Sequence, residues 1–183
     1  MTPIEKLKDV IIKNSYKYNE ETPFKLASGA ISPFYFDLKM TLLNPEGLKL
    51  IGEIIYDKIS GINADAIGGL TLGADPIALS ASITAFTSGR VLYPLIVRKE
   101  PKGHGTKKYI EGYAETVKSV IAVDDVITTG GSTITAINRF REAGIKVDYA
   151  VVIVDREEND GVANIEKEGV KVISVFKKSE FKK

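Results

Sequence analysis

Two periods of apolar and polar residues run along this chain. Ile4, Leu7, Val10 and Ile11 recur at helical spacing and predict a short amphipathic helix. Two strand-like stretches follow at 22–27 and 34–38, set apart by the turn-forming pairs Ser28-Gly29 and Ser32-Pro33. From Pro45 the spacing is helical again, with Leu48, Ile51, Ile54, Ile55 and Ile59 repeating along the run. Short apolar runs at 64–70, 91–97, 120–123 and 149–154 then read as buried strands, and Asp75-Pro76 opens a helix between the first two. Alternating strands and helices predict an α/β fold, a central parallel sheet flanked by helices with right-handed crossovers. Ligands of such a sheet bind at the carboxyl ends of its strands. A short helix around 161–168, a strand at 170–176 and a solvated Lys-rich tail at 177–183 complete the pattern.

No internal repeat or low-complexity linker divides the chain, so 1–183 is expected to form one domain. Its core would span about 45–156, and segments 1–44 and 157–183 would pack together as a small hood. The 44% apolar and 27% charged composition is that of a soluble globular protein, and a net charge of +1 gives no reason to expect a nucleic acid or a membrane as partner. With no cysteine, disulfides, thiol nucleophiles and thiolate metal sites are excluded. The amino terminus has a Lys-rich helical pattern instead of a signal peptide's apolar core, and no apolar run approaches the roughly 20 residues that cross a bilayer. A cytoplasmic location is the expectation.

The richest chemistry lies where the 120–123 strand runs into Asp124-Asp125-Val126-Ile127-Thr128-Thr129-Gly130-Gly131-Ser132-Thr133 and then into a helix carrying Ile134, Ile137 and Phe140. At a strand-to-helix junction, unpaired N–H groups and the positive end of the helix dipole point into the loop, where a phosphate can accept from them. Gly130 and Gly131 permit close approach, while Thr128, Thr129, Ser132 and Thr133 bring hydroxyl donors. Asp124 and Asp125 accept only, which suits sugar hydroxyls or a hydrated cation. A helix cap and a tight connection would explain one such residue, but not two adjacent acids and four hydroxyls. The Gly-Lys-Thr ending of a Walker loop and the Gly-x-Gly-x-x-Gly of a dinucleotide site are both missing. Val123-Asp124-Asp125-Val126-Ile127-Thr128-Thr129-Gly130 resembles the phosphoribosyl pyrophosphate (PRPP) motif of type I phosphoribosyltransferases.

After the strand at 91–97 comes a cationic, glycine-punctuated segment, Arg98-Lys99-Glu100-Pro101-Lys102-Gly103-His104-Gly105, at the sheet's ligand edge. Charge runs are usually solvated surface, and Lys107 and Lys108 read that way. His104 is the single histidine and lies between glycines in a polar loop, which disfavours a core role. Arg98, Lys99, Lys102 and His104 are candidates to stabilise a departing pyrophosphate. The spacing resembles the catalytic loop of orotate phosphoribosyltransferases, which implies a homodimer in which each subunit's lid closes over its partner's site. Phe24-Lys25-Leu26-Ala27-Ser28-Gly29-Ala30-Ile31-Ser32-Pro33-Phe34-Tyr35 is similar to the same family's amino-terminal signature.

Tyr35 and Phe36 offer flat apolar surface and backbone groups for a pyrimidine, or else pack in the core. Arg156, after the 149–154 strand, has the planar fork that grips a carboxylate, which orotate has and uracil lacks; the plainer alternative is an ion pair with Asp155 or Glu157. The resemblance implies that Lys102 and His104 are catalytic and that PRPP binds Arg98, Lys99, Lys102, His104 and the run Asp124 to Ser132. Orotate would meet Thr128, Arg156, Tyr35 and Phe36. Magnesium would be held mainly by substrate oxygens, with no protein ligand set. Ala27 and Leu72 stand where many bacterial members carry lysine. The implied activity is transfer of ribose 5-phosphate from PRPP to orotate in pyrimidine synthesis; the alternatives are a phosphoribosyltransferase for another nucleobase or a non-catalytic PRPP-sensing regulator.

Overall fold

Thr2 starts the first element by a reciprocal cap. Its hydroxyl accepts from the Glu5 N–H at 3.3 Å, and the Glu5 carboxylate accepts from the Thr2 N–H at 2.6 Å. Helix α1 (Pro3–Asn14) buries Leu7 and Ile11. The structure is a computed structural model that describes residues 1–25, 31–101 and 108–181. Strand β1 (Tyr16–Tyr18) follows, then β2 (Phe24–Lys25) and β3 (Ile31–Ser32), which pair with each other, and β4 (Phe34–Phe36), which lies antiparallel to β1. The predicted strand at 34–38 is cut short because the chain turns at Leu38 into the single turn α2 (Lys39–Leu42). Asn44 then caps α3 (Pro45–Ile59), accepting from the N–H groups of Glu46 and Gly47.

The main sheet contains β5 (Ala66–Leu70), then β6 (Tyr93–Val97) after helix α4 (Ala74–Thr87), then β7 (Ile110–Glu111) and β8 (Ser119–Ile127). Helix α5 (Gly131–Glu142), β9 (Lys146–Asp155), helix α6 (Gly161–Lys167) and β10 (Lys171–Lys177) complete it, in the spatial order β10-β9-β8-β5-β6-β7. Successive residues of β9 point to opposite faces. Val151 and Ile153 pack with Ile51, Ile55 and Ile67 beneath α1, α3 and α4, whereas Ala150 and Val152 pack with Phe140 and Ile165 beneath α5 and α6. Each of the valine, isoleucine and phenylalanine side chains among these contributes about 2 kcal/mol on burial.

Three expectations need correction. The sheet is mixed, because β7 runs antiparallel to β6, with Val97 opposite Ile110. The chain leaves β6 into the basic segment and returns along the same edge, as a hairpin stem does. Second, β10 pairs parallel with β9 and belongs to the sheet instead of the hood. Third, the Lys-rich tail is anchored: residues Lys178–Phe181 form a 3₁₀ turn that buries the Phe181 ring against Tyr16, Phe36 and Phe176 at centroid distances of 5.2–5.6 Å. One aromatic residue among lysines is invisible to composition but fills the gap between the amino-terminal strands and the sheet. Among the described residues, no helix is long and apolar enough to cross a membrane.

Candidate active site

The parallel strands β5, β6, β8 and β9 bring their carboxyl ends to one edge, so the segments beginning at Thr71, Arg98, Thr128 and Arg156 converge. β8 extends beyond its apolar run: the ladder with β9 continues through Asp124 opposite Val152 to Ile127 opposite Asp155. Ladder bonding uses backbone groups, so the acids lie within the strand and are held by it.

Gly130 ends the loop in a left-handed conformation, φ 81°, and a side chain there would meet the Gly161 carbonyl at 2.8 Å and Ile165 at 2.9 Å. Gly130, at the N-cap, has no side chain to offer α5; the Thr129 hydroxyl accepts from the Gly131 N–H at 3.4 Å, and Thr129, Gly131 and Ser132 are exposed, which leaves this end of the helix accessible to a ligand. This is the geometry of an anion site. Ile127 is buried and Val126 packs on the core, which leaves them only backbone groups to offer. Thr133 is not a phosphate donor in this arrangement, since its hydroxyl donates to Asp124 at 2.8 Å.

Asp124 is buried, 6% exposed, and also accepts from the Asp125 N–H at 3.0 Å. Burial, reinforced by the Asp125 charge, pushes its carboxyl up to about 7 despite these hydrogen bonds. Asp125 points the other way along the strand, so close to Gly73 that a methyl group there would stand 2.7 Å from the carboxylate. Leu72, beside it, is 55% exposed, and Thr71 donates to Asp75 at 2.6 Å. The other Asp75 oxygen is buried with no hydrogen-bond partner among the described residues, and burial raises the carboxyl's pKa. Lys39 was not anticipated. Its ammonium pairs with Asp37 at 3.2 Å; burial works against its charge, but the Asp37 hydrogen bond and the field of Asp125 raise its pKa overall.

At the base end, the Arg156 N–H bonds to the Ile127 carbonyl at 3.0 Å, which seats the arginine next to Thr128. Its side chain is 8% exposed. The acid that pairs with it is Glu158, whose Oε1 accepts from Nη2 at 3.3 Å; Asp155 instead accepts from the Glu157 N–H, and Glu157 from the Ser179 N–H. Nη2 also reaches the Ser32 hydroxyl at 3.4 Å. Glu157, Asn159 and Asp160 all have φ between 51° and 54°, and this unusual turn folds Glu158 back onto Arg156. Neither Glu158 nor its second partner, Lys178 at 2.9 Å, carried a signal in the sequence, because the turn and the terminal 3₁₀ segment bring them in. Tyr35 is 36% exposed and lies 5.5 Å from Phe24, while Phe36 is a core residue against Tyr16 and Phe181. A stacking role for the Phe36 ring is therefore set aside in favour of its packing alternative.

Arg98 is half-exposed, with its N–H bonded to the Tyr109 carbonyl at 2.8 Å and its guanidinium to Glu111 at 3.3 Å; Lys99 is exposed. Lys102 and His104, expected to be catalytic, lie outside the described residues. A cavity of about 450 Å³ lined by Tyr109, Glu111 and Arg139 lies beside this segment, and none of the expected site residues lines it.

A scan against protein-family models finds no match. The chain is 47% identical over 176 residues to the orotate phosphoribosyltransferase of Aquifex aeolicus, covering 96% of each chain. The orotate phosphoribosyltransferase of Mycobacterium tuberculosis, solved with Fe(III) dicitrate, superposes with a TM-score of 0.84 at 29% identity, covering 98% of both chains. The same enzyme solved with PRPP gives 0.77 at 26% identity, over 98% of this chain and 92% of that one. By its sequence and by its fold, the chain belongs to the orotate phosphoribosyltransferase family.

Proposed function

We propose that this protein transfers the 5-phosphoribosyl group of PRPP to orotate, giving orotidine 5-monophosphate and pyrophosphate. The observation that carries the reading is the seating of Arg156: a buried guanidinium is hydrogen-bonded through its own backbone to the strand that ends in the anion loop. A cation for a base's carboxylate thus stands one strand away from donors for a sugar phosphate.

In this reading the 5-phosphate rests on the N–H groups and hydroxyls of Thr128, Thr129, Gly130, Gly131 and Ser132, and the ribose hydroxyls donate toward Asp124 and Asp125. The pyrophosphate lies between the Thr71 turn and the basic segment, where Arg98, Lys99, Lys102 and His104 offset its growing charge. Orotate sits by Tyr35 and the Phe36 backbone, with Thr128 and Arg156 at its polar edge. A ring nitrogen, its proton lost, attacks the anomeric carbon as the bond to pyrophosphate breaks, and Lys102 and His104 stabilise or protonate the leaving group. The hard oxygens of Asp125, against Gly73 in the turn after β5, fit a hydrated magnesium ion better than a dehydrated one, since the described residues hold no cluster of three acidic or imidazole ligands. Magnesium, when bound with PRPP, neutralises pyrophosphate charge.

The homodimer belongs to the same proposal. Along α4, Leu79, Ile83 and Phe86 recur at helical spacing and are 44%, 66% and 73% exposed, an apolar stripe that suits a second copy of the chain. The test of function is base consumption followed by ultraviolet absorbance with PRPP and magnesium, orotate run beside uracil, hypoxanthine and adenine. Turnover of orotate only is expected; consumption of another base in its place would overturn the assignment.

A further inference from the structure

Arg156 is occupied before any substrate arrives. Its side chain is 8% exposed, and a cation so buried needs a compensating charge, which Glu158 supplies. The fit is imperfect. Charge-assisted guanidinium–carboxylate bonds close to about 2.7–2.9 Å, whereas Nη2 stands 3.3 Å from Oε1 and Nε stands 3.2 Å from Oε2 without hydrogen-bond alignment. The Nε–H is a buried donor with no aligned acceptor among the described residues. Glu158 neutralises Arg156 but does not saturate it.

Glu158 has a second partner in place. Lys178 donates to the same Oε1 at 2.9 Å, closer than Arg156 does, and its ammonium lies over the Phe34 ring at 5.4 Å. The backbone around the pair is tied down: Glu157 accepts from Ser179, joining the turn to the terminal 3₁₀ segment. A change of partner by Glu158 is therefore a side-chain rotation within a fixed frame.

We propose that Glu158 is a resident carboxylate that holds Arg156 in the empty site and yields it to the carboxylate of the incoming base, with Lys178 retaining the displaced Glu158. Both are positioning residues, and the proposal rests on the reading that Arg156 grips that carboxylate. Charge counting shows what the device selects. Arg156 and Lys178 against Glu158 leave these three groups one positive charge in excess, and the neighbouring Glu157, tied to the Ser179 N–H, has Lys177 as a further cation to offset it. A base bearing a carboxylate completes two cations against two anions and gives the Nε–H its acceptor, while a neutral base does neither and must also displace Glu158.

The test reads KM for orotate and for PRPP together with kcat in Arg156→Ala, Glu158→Gln, Lys178→Met and the double variant Glu158→Gln/Lys178→Met. Arg156→Ala checks the underlying reading and is expected to raise KM for orotate by roughly thirtyfold or more, leaving KM for PRPP nearly unchanged. Removing the competitor in Glu158→Gln should lower KM for orotate by about three- to tenfold. Lys178→Met, which leaves the displaced carboxylate without a partner, should raise it by about the same factor, and this effect should vanish in the double variant. If Glu158→Gln folds poorly, Glu158→Asp, which keeps the charge but is too short to reach Arg156, should shift KM for orotate in the same downward direction. An unchanged or raised KM for orotate in both Glu158 variants overturns the exchange and makes Glu158 a fixed support. An unchanged KM in Arg156→Ala removes the reading beneath it instead, so the two failures are distinguishable.

Discussion

Replacing Asp124 by asparagine should stabilise the substrate-free protein while impairing catalysis. Asp124 is held under Thr133 and beside Asp125, and its carboxyl is pushed up to about 7 from an ordinary 3.8, chiefly by burial. A carboxyl whose folded value lies above its unfolded one binds more protons in the folded state between those two values, so its contribution to stability falls as pH rises from about 4 to about 7. At roughly 1.36 kcal/mol per pH unit, the ceiling of this loss is on the order of 4 kcal/mol above pH 7. Asparagine keeps an oxygen for the Asp125 N–H, and the Thr133 hydroxyl can rotate to accept from the new amide, so both hydrogen bonds survive without the charge. Thermal melting from pH 4 to 9 should show Asp124→Asn gaining little at pH 4 and most above pH 7. At about 2–4 °C per kcal/mol for a chain of this size, a gain of several degrees is expected. PRPP turnover should fall, because the ribose hydroxyls lose an ionised acceptor. A gain independent of pH, or a lower Tm at pH 8, would refute the reasoning.

Other perturbations separate the parts of the site. Lys39→Met should raise KM for PRPP by roughly five- to tenfold and change KM for orotate less, since the ammonium feels the field of Asp125 more than that of Tyr35; initial rates with each substrate varied would check it. Phe181→Ala empties a position only 3% exposed among three aromatic rings and should cost about 3 kcal/mol in urea unfolding, whereas a freely solvated tail would cost nothing. Phe86→Glu places a charge in the apolar stripe of α4 and should break the proposed dimer into monomers in analytical ultracentrifugation, with turnover falling if the basic segment works in trans.

Local pattern was enough for the elements and for most of the loop chemistry. The helix from Pro45, the buried strands and the acid-hydroxyl-glycine loop were legible because periodicity and turn chemistry are properties of neighbouring residues. The family followed from the loop and from two further motifs. What escaped is non-local. The antiparallel return of β7, the place of β10 beside β9 and the burial of Phe181 depend on where distant segments meet, and composition argued against the last of them. The same distinction divides the site. The sequence by itself put Asp124, Asp125 and Arg156 directly after apolar runs whose carboxyl ends share one sheet edge, since such runs lie side by side in a parallel sheet; that β8 continues through both acids to Ile127 came from the pairing with β9. Only the tertiary structure decided that Asp124 is tied to Thr133 while Asp125 lies against Gly73, that Lys39 pairs with Asp37 in the field of Asp125, and that Glu158 shares its carboxylate between Arg156 and Lys178. Pairing of charges depends on distances of a few ångströms between side chains far apart in sequence, and those distances are set by the packing of the whole chain.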